Sequence, residues 1–144
     1  MYVALQTAHS IFAYVVLALL FLAAFNAITG LTSKRLFKDK DLRLSLFTLI
    51  VSHLQLLLGL VLYFISEKGV KAFEIEGAMK ISELRLTMLE HPLINIIAIA
   101  LITIGWSKHK KEESNNGKFK KIAVFYTIGL LLILLRLPWS SWLS

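Results

Sequence analysis

Four long apolar stretches within 144 residues decide what this chain can fold into. A helix crossing a bilayer needs about 20 apolar residues to span a hydrocarbon core of about 30 Å. Four such helices with short loops use nearly the whole length, so no separate soluble domain fits beside them. Hydrophobic residues make up 57% of the chain and the mean hydropathy is +0.71, against about 45–50% apolar content in soluble domains. The expected fold is all-α, an integral membrane four-helix up-down bundle. It is a single domain over residues 1–144, with helices over about 3–28, 44–65, 92–106 and 122–137.

The charges give this bundle an orientation. Loop 1 carries Lys34, Arg35, Lys38, Lys40 and Arg43 against Asp39 and Asp41; loop 3 carries Lys108, Lys110, Lys111, Lys118, Lys120 and Lys121 against Glu112 and Glu113. Loop 2 balances Lys68, Lys71, Lys80 and Arg85 with Glu67, Glu74, Glu76 and Glu83. By the positive-inside rule loops 1 and 3 are cytoplasmic, and loop 2 and both termini are on the outer, periplasmic side of a bacterial inner membrane. The net charge of +7 therefore reads as topology, with the lipid bilayer as partner and no nucleic acid. A cleaved signal peptide is not expected, because the first apolar stretch lacks a basic n-region and outruns an h-region of about 7–15 residues. Zero cysteines exclude disulfides, thiolate metal sites and covalent c-type haem.

Ionisable residues inside apolar helices are costly and usually mark a site. His9, His53 and His91 each sit in or at the mouth of an apolar stretch. His9 heads a face with Ala13, Val16, Leu20, Ala23 and Ala27. His91 shares one with Asn95, Ala98, Ile102 and Gly105, and a small polar stripe of Thr48, Ser52, Gln55, Gly59 and Tyr63 runs beside His53. Pro92 has two readings: the first residue of helix 3, which is favoured, or a kink in a helix that began near Ser82. His109, in the lysine-rich run KHKKEE, reads as a solvated loop residue, and Trp139 and Trp142 as an outer aromatic belt.

Counting about 1.5 Å per residue from the cytoplasmic ends puts His9 at roughly 29 Å, His91 at roughly 22 Å and His53 at roughly 14 Å. Helices 1 and 3 are diagonal partners in an up-down bundle, so His9 with His91 is the expected pair across the core, with His53 and His91 as the other pairing. Two axial imidazoles suit one haem b, and one histidine is left over. Arg136 and Arg85, both toward the outer side, are the candidate partners for haem propionates. The competing reading of each histidine is a neutral imidazole hydrogen-bonded between helices as polar glue.

The segments HS at 9–10, SHLQLLLGLVLYF at 52–64 and LEHPLINIIAIALITIG at 89–105 resemble a family of small bacterial four-helix membrane proteins labelled cytochrome b-like. The resemblance implies a b-type haem with His9, His53 and His91 as candidate iron ligands. The larger b561-type cytochromes bind two haems with two histidine pairs, and this chain lacks the fourth ligand. The expectation is a membrane cytochrome relaying electrons, with a quinone or a respiratory complex as candidate partner and a homo- or hetero-oligomer as candidate assembly. The alternatives are a non-catalytic membrane subunit or assembly factor, and a His-based copper-handling protein.

Overall fold

The computed structural model describes residues 1–139. Four long helices, α1 (Tyr2–Thr32), α2 (Asp39–Ile65), α3 (Ser82–Lys111) and α4 (Asn115–Leu135), form the bundle, and the described residues contain no strand. Two short 3₁₀ turns, Val70–Glu74 and Ala78–Lys80, fill loop 2. α1, α2 and α3 are long and apolar enough to cross a membrane. α4 carries Lys118, Lys120 and Lys121 near its start, which leaves residues 122–135 uncharged, roughly 21 Å of helix.

The helices run further than the apolar stretches because hydropathy marks the edge of the greasy surface, not the end of helical hydrogen bonding. α1 continues through Gly30, which was the expected cap, to Thr32, and the left-handed residue that ends it is Lys34 at φ 55°. Gly30 has a different use: a Cβ there would meet the Phe119 ring at 2.5 Å. His109 is likewise not a solvated loop residue. α3 extends past Trp106, and His109 is buried at its end with Nδ1 2.6 Å from Trp106 O and its ring against Phe37 and Trp106.

The connections are antiparallel and put loops 1 and 3 at one end, the basic end, where Phe37 N–H donates to Asn115 Oδ1 at 2.9 Å. At the other end Tyr2 Oη lies 3.1 Å from Ser66 Oγ, and His91 reaches Arg136 O, so both termini share that end with loop 2. Neighbours run α1, α2, α3, α4 and back to α1, with α3 against α4 the most extensive contact and α2 against α3 the thinnest of the four. α1 and α3 therefore stand diagonally. The apolar core is built mainly by α1, α3 and α4, from Leu20, Ala27, Ile102, Phe119, Tyr126 and Ile133. Large apolar side chains such as Phe21, Phe47, Leu57 and Leu131 point outward.

α2 faces this core with a buried polar stripe, Asp41, Ser45, Thr48 and Ser52. Ser45 and Thr48 return their hydroxyls to the carbonyls of Asp41 and Leu44, at 2.9 and 2.7 Å. Tyr126 donates across the core to Ser45 O at 2.8 Å. Asp41, 1% exposed, accepts from Asn26 Nδ2 at 2.8 Å, from Lys38 N–H at 2.8 Å and from Arg35 Nη1 at 3.0 Å. Arg35 also donates to Asn26 Oδ1 at 2.7 Å and lies over the Phe119 ring. A buried carboxylate is tolerated when a cation and several donors surround it.

The favoured placement of Pro92 as the first residue of its helix does not hold: α3 starts at Ser82. Proline has no N–H to continue the i→i−4 ladder, and the helix adapts by widening into a π turn over Leu86–Glu90, with His91 N–H bonded to Leu86 O. The carbonyl that residue 92 leaves free, Met88 O, accepts the Tyr63 hydroxyl at 2.8 Å from α2. Trp139 donates its indole N–H to Leu134 O, and Trp142 lies outside the described residues.

Two variants test these contacts in detergent-solubilised protein. Asp41→Ala leaves Arg35, Asn26 and the Lys38 N–H without their shared acceptor, and is expected to cost roughly 2–4 kcal/mol, seen as a lowered unfolding midpoint by circular dichroism. Tyr63→Phe is expected to cost about 1–2 kcal/mol and to raise amide hydrogen exchange selectively over residues 86–92; unchanged exchange there would show that the tyrosine does not secure the turn.

Candidate functional site

A cavity of about 590 Å³ lies in the half of the bundle that holds the termini, lined by α1, α2 and α3, with His9, Ser52, Gln55, Gly59, His91 and Asn95 among its walls. It sits beside the thinnest helix contact, where the polar stripe of α2 replaces bulky apolar packing. His9 and His91, from the diagonal helices, face each other with ring centres 6.4 Å apart and planes at 86°.

The position of His91 follows from its hydrogen bonds. Its Nδ1 is 2.9 Å from Arg136 O, a carbonyl that can only accept, so the proton is on Nδ1 and the Nε2 lone pair is free. Asn95, one turn along α3, donates to His91 O at 2.6 Å. His9 is held by packing: a Cβ at Gly59 would come within 3.1 Å of its Cε1, so only glycine gives the ring its place without displacement. Gln55 Nε2 donates to His9 O at 2.8 Å. The His9 Nδ1, Ser52 Oγ and Gln55 Oε1 atoms are buried without hydrogen-bond partners.

His53 is elsewhere. It is exposed on the α2–α3 seam, with Nδ1 2.8 Å from Leu49 O and Nε2 3.3 Å from Thr103 Oγ1. The structure brings His9 and His91 together and leaves His53 outside their cavity. Arg85 and Arg136 both stand near the start of α3 and both engage Glu90, at 2.9 and 3.6 Å, with Arg85 also donating to Met79 O.

Among the described residues no group of three or more His, Asp or Glu is placed to hold a metal ion. What remains is a two-imidazole donor set. With metal–nitrogen bonds of about 2 Å on either side, two imidazoles on one ion have ring centres roughly 6 Å apart, close to the observed 6.4 Å. Such a pair suits a cofactor that brings its own equatorial ligands. The buried knot of Asp41, Arg35 and Asn26 went unread in the sequence, although Asn26 inside an apolar run was a usable signal, since buried amides require partners.

Comparison with protein-family models, with curated proteins and with solved structures returned no match.

Proposed function

We propose that this chain is a multi-pass protein of a bacterial inner membrane, with loops 1 and 3 cytoplasmic and both termini outside. In this reading it holds one b-type haem between His9 and His91 and relays electrons. The observation that carries it is the pair of imidazoles facing each other at 6.4 Å across a cavity, from diagonal helices. Axial ligands usually donate their second ring nitrogen to a carbonyl or carboxylate, which fixes the tautomer and strengthens the ligand; His91 has that arrangement through Arg136 O. A haem bound there would supply one-electron redox chemistry, and iron ligated on both faces has no open position for oxygen. Arg85 and Arg136 are the cations nearest that rim, and the anionic edge of a haem would share them with Glu90.

The purified protein is expected to show a Soret band and one b-type haem per chain by pyridine haemochrome assay. His9→Ala and His91→Ala should each abolish the six-coordinate spectrum, whereas His53→Ala should keep it. Wild-type protein with no extractable haem after expression under haem-replete conditions would end this reading. The orientation is separately testable because the chain has no cysteine. Single cysteines at Ser33 and Asn116 should be shielded from an impermeant maleimide in intact cells, and one at Glu76 should be labelled.

A second reading, a non-catalytic membrane subunit or assembly factor, is favoured by one observation. Gln55, His53 and His91 each make an interhelical hydrogen bond, joining α2 to α1, α2 to α3 and α3 to α4. Polar groups used in this way hold helices together without any cofactor. Here His91→Ala and His53→Ala should lower abundance and leave the visible spectrum flat throughout.

A further inference from the structure

Three of the unpartnered buried atoms in this protein line the same cavity: His9 Nδ1, Ser52 Oγ and Gln55 Oε1. An unpaired buried polar group costs about 1–3 kcal/mol, so three in one place call for a reason. The three are complementary. The carboxamide oxygen of Gln55 has two lone pairs, Ser52 has one hydroxyl proton, and a neutral imidazole carries one N–H.

Their placement favours a shared bond. Gln55 is pinned by its own Nε2–H to His9 O at 2.8 Å, so Oε1 is the remaining free atom of an amide already docked on the His9 backbone. Gly59 lies one turn further along the same face of α2, and a Cβ there would be 3.1 Å from His9 Cε1 and 3.8 Å from Nδ1. The imidazole edge that carries Nδ1 is thus turned toward the helix that presents Gln55. Ser52 is three residues before Gln55, at neighbouring helical positions. On the same stripe Ser45 and Thr48 bond back to their own helix, and the Ser52 hydroxyl does not.

We propose that Gln55 is the positioning residue of His9. Its Oε1 accepts the Nδ1 proton of His9 and the hydroxyl proton of Ser52, so one acceptor satisfies both orphaned donors. The imidazole is then held in the Nδ1–H tautomer, with the Nε2 lone pair presented to the cavity. Gln55 does for His9 what Arg136 O does for His91. The consequence for haem rests on the reading of His9 as an axial ligand; the tautomer itself does not.

The test is nitrogen-15 NMR of histidine-labelled protein in lipid nanodiscs without haem, followed by haem titration. Wild type is expected to show His9 as the Nδ1–H tautomer. Gln55→Leu should convert it to the Nε2–H form or a mixture and weaken haem binding about 10- to 100-fold. Gln55→Glu keeps the acceptor, and should keep the tautomer, restore most of the affinity and lower the haem reduction potential. The inference is overturned if wild-type His9 is the Nε2–H tautomer, or if Gln55→Leu leaves tautomer and affinity as in wild type. Should Gln55→Leu fail to fold, the wild-type tautomer and Gln55→Glu decide. If wild type binds no haem, the electron-relay reading falls and the tautomer still decides for or against Gln55.

Discussion

Every polar atom between these helices must be answered by another protein atom, because what surrounds it is hydrocarbon. This requirement organises the bundle more than apolar packing does. α2 shows it most clearly, since its inward face is Asp41, Ser45, Thr48 and Ser52 and most of its apolar side chains turn outward. Helices surrounded by lipid gain little from burying leucine against leucine. Specific close approaches decide their arrangement, such as Tyr126 on Ser45 O and Gly129 against Ile102. At the basic end the requirement is met several times over around Asp41. That end is accordingly the stitched one, with loop 1 tied to loop 3 through Phe37 and Asn115.

At the end with the termini the accounting is incomplete, and the incompleteness is local. Unsatisfied groups in a native interior indicate an absent partner, a strained site or a functional one. Here they coincide with a cavity and with two histidines that face each other. His53 is the useful contrast. It has the same chemistry and a similar apolar setting, yet both of its nitrogens have near neighbours, Leu49 O and Thr103 Oγ1. Helical phase separates it from the cavity: His53 is one residue, about 100°, from Ser52, which lines it.

Much of this was legible in the residues. The four helices, their up-down order and the diagonal relation of helices 1 and 3 follow from apolar length and loop charge. The facing of His9 and His91 follows from counting rise per residue. The boundaries do not, because lysines and glutamates continue a helix as readily as leucines once its hydrogen-bond ladder is running, as α3 does through His109. The polar stripe of α2 was visible as a pattern. Its division into residues that bond back to their own helix and residues that face a cavity depends on rotamers, which spacing does not specify. The Asp41 knot was hidden for a related reason: its members come from a helix interior, a turn and a helix start, and only the fold makes them neighbours.

The π turn before Pro92 connects the loop to the site. In a regular α-helix residues five apart point about 140° away from each other, at 100° per residue, so Arg85 and Glu90 would diverge. Within a turn whose bonds run i→i+5 they align, and the observed ion pair at 2.9 Å is that alignment. Glu90 in turn holds the Arg136 guanidinium at 3.6 Å, and the carbonyl of Arg136 receives His91. A proline that removes one backbone donor thereby produces a widened turn. The widened turn brings a loop arginine onto the carboxylate beside His91, and that carboxylate secures the C-terminal end of α4 where it meets the imidazole. His91 is oriented from two directions, by α4 through its ring nitrogen and by its own helix through Asn95, which is what a side chain presenting one fixed lone pair to a cavity requires.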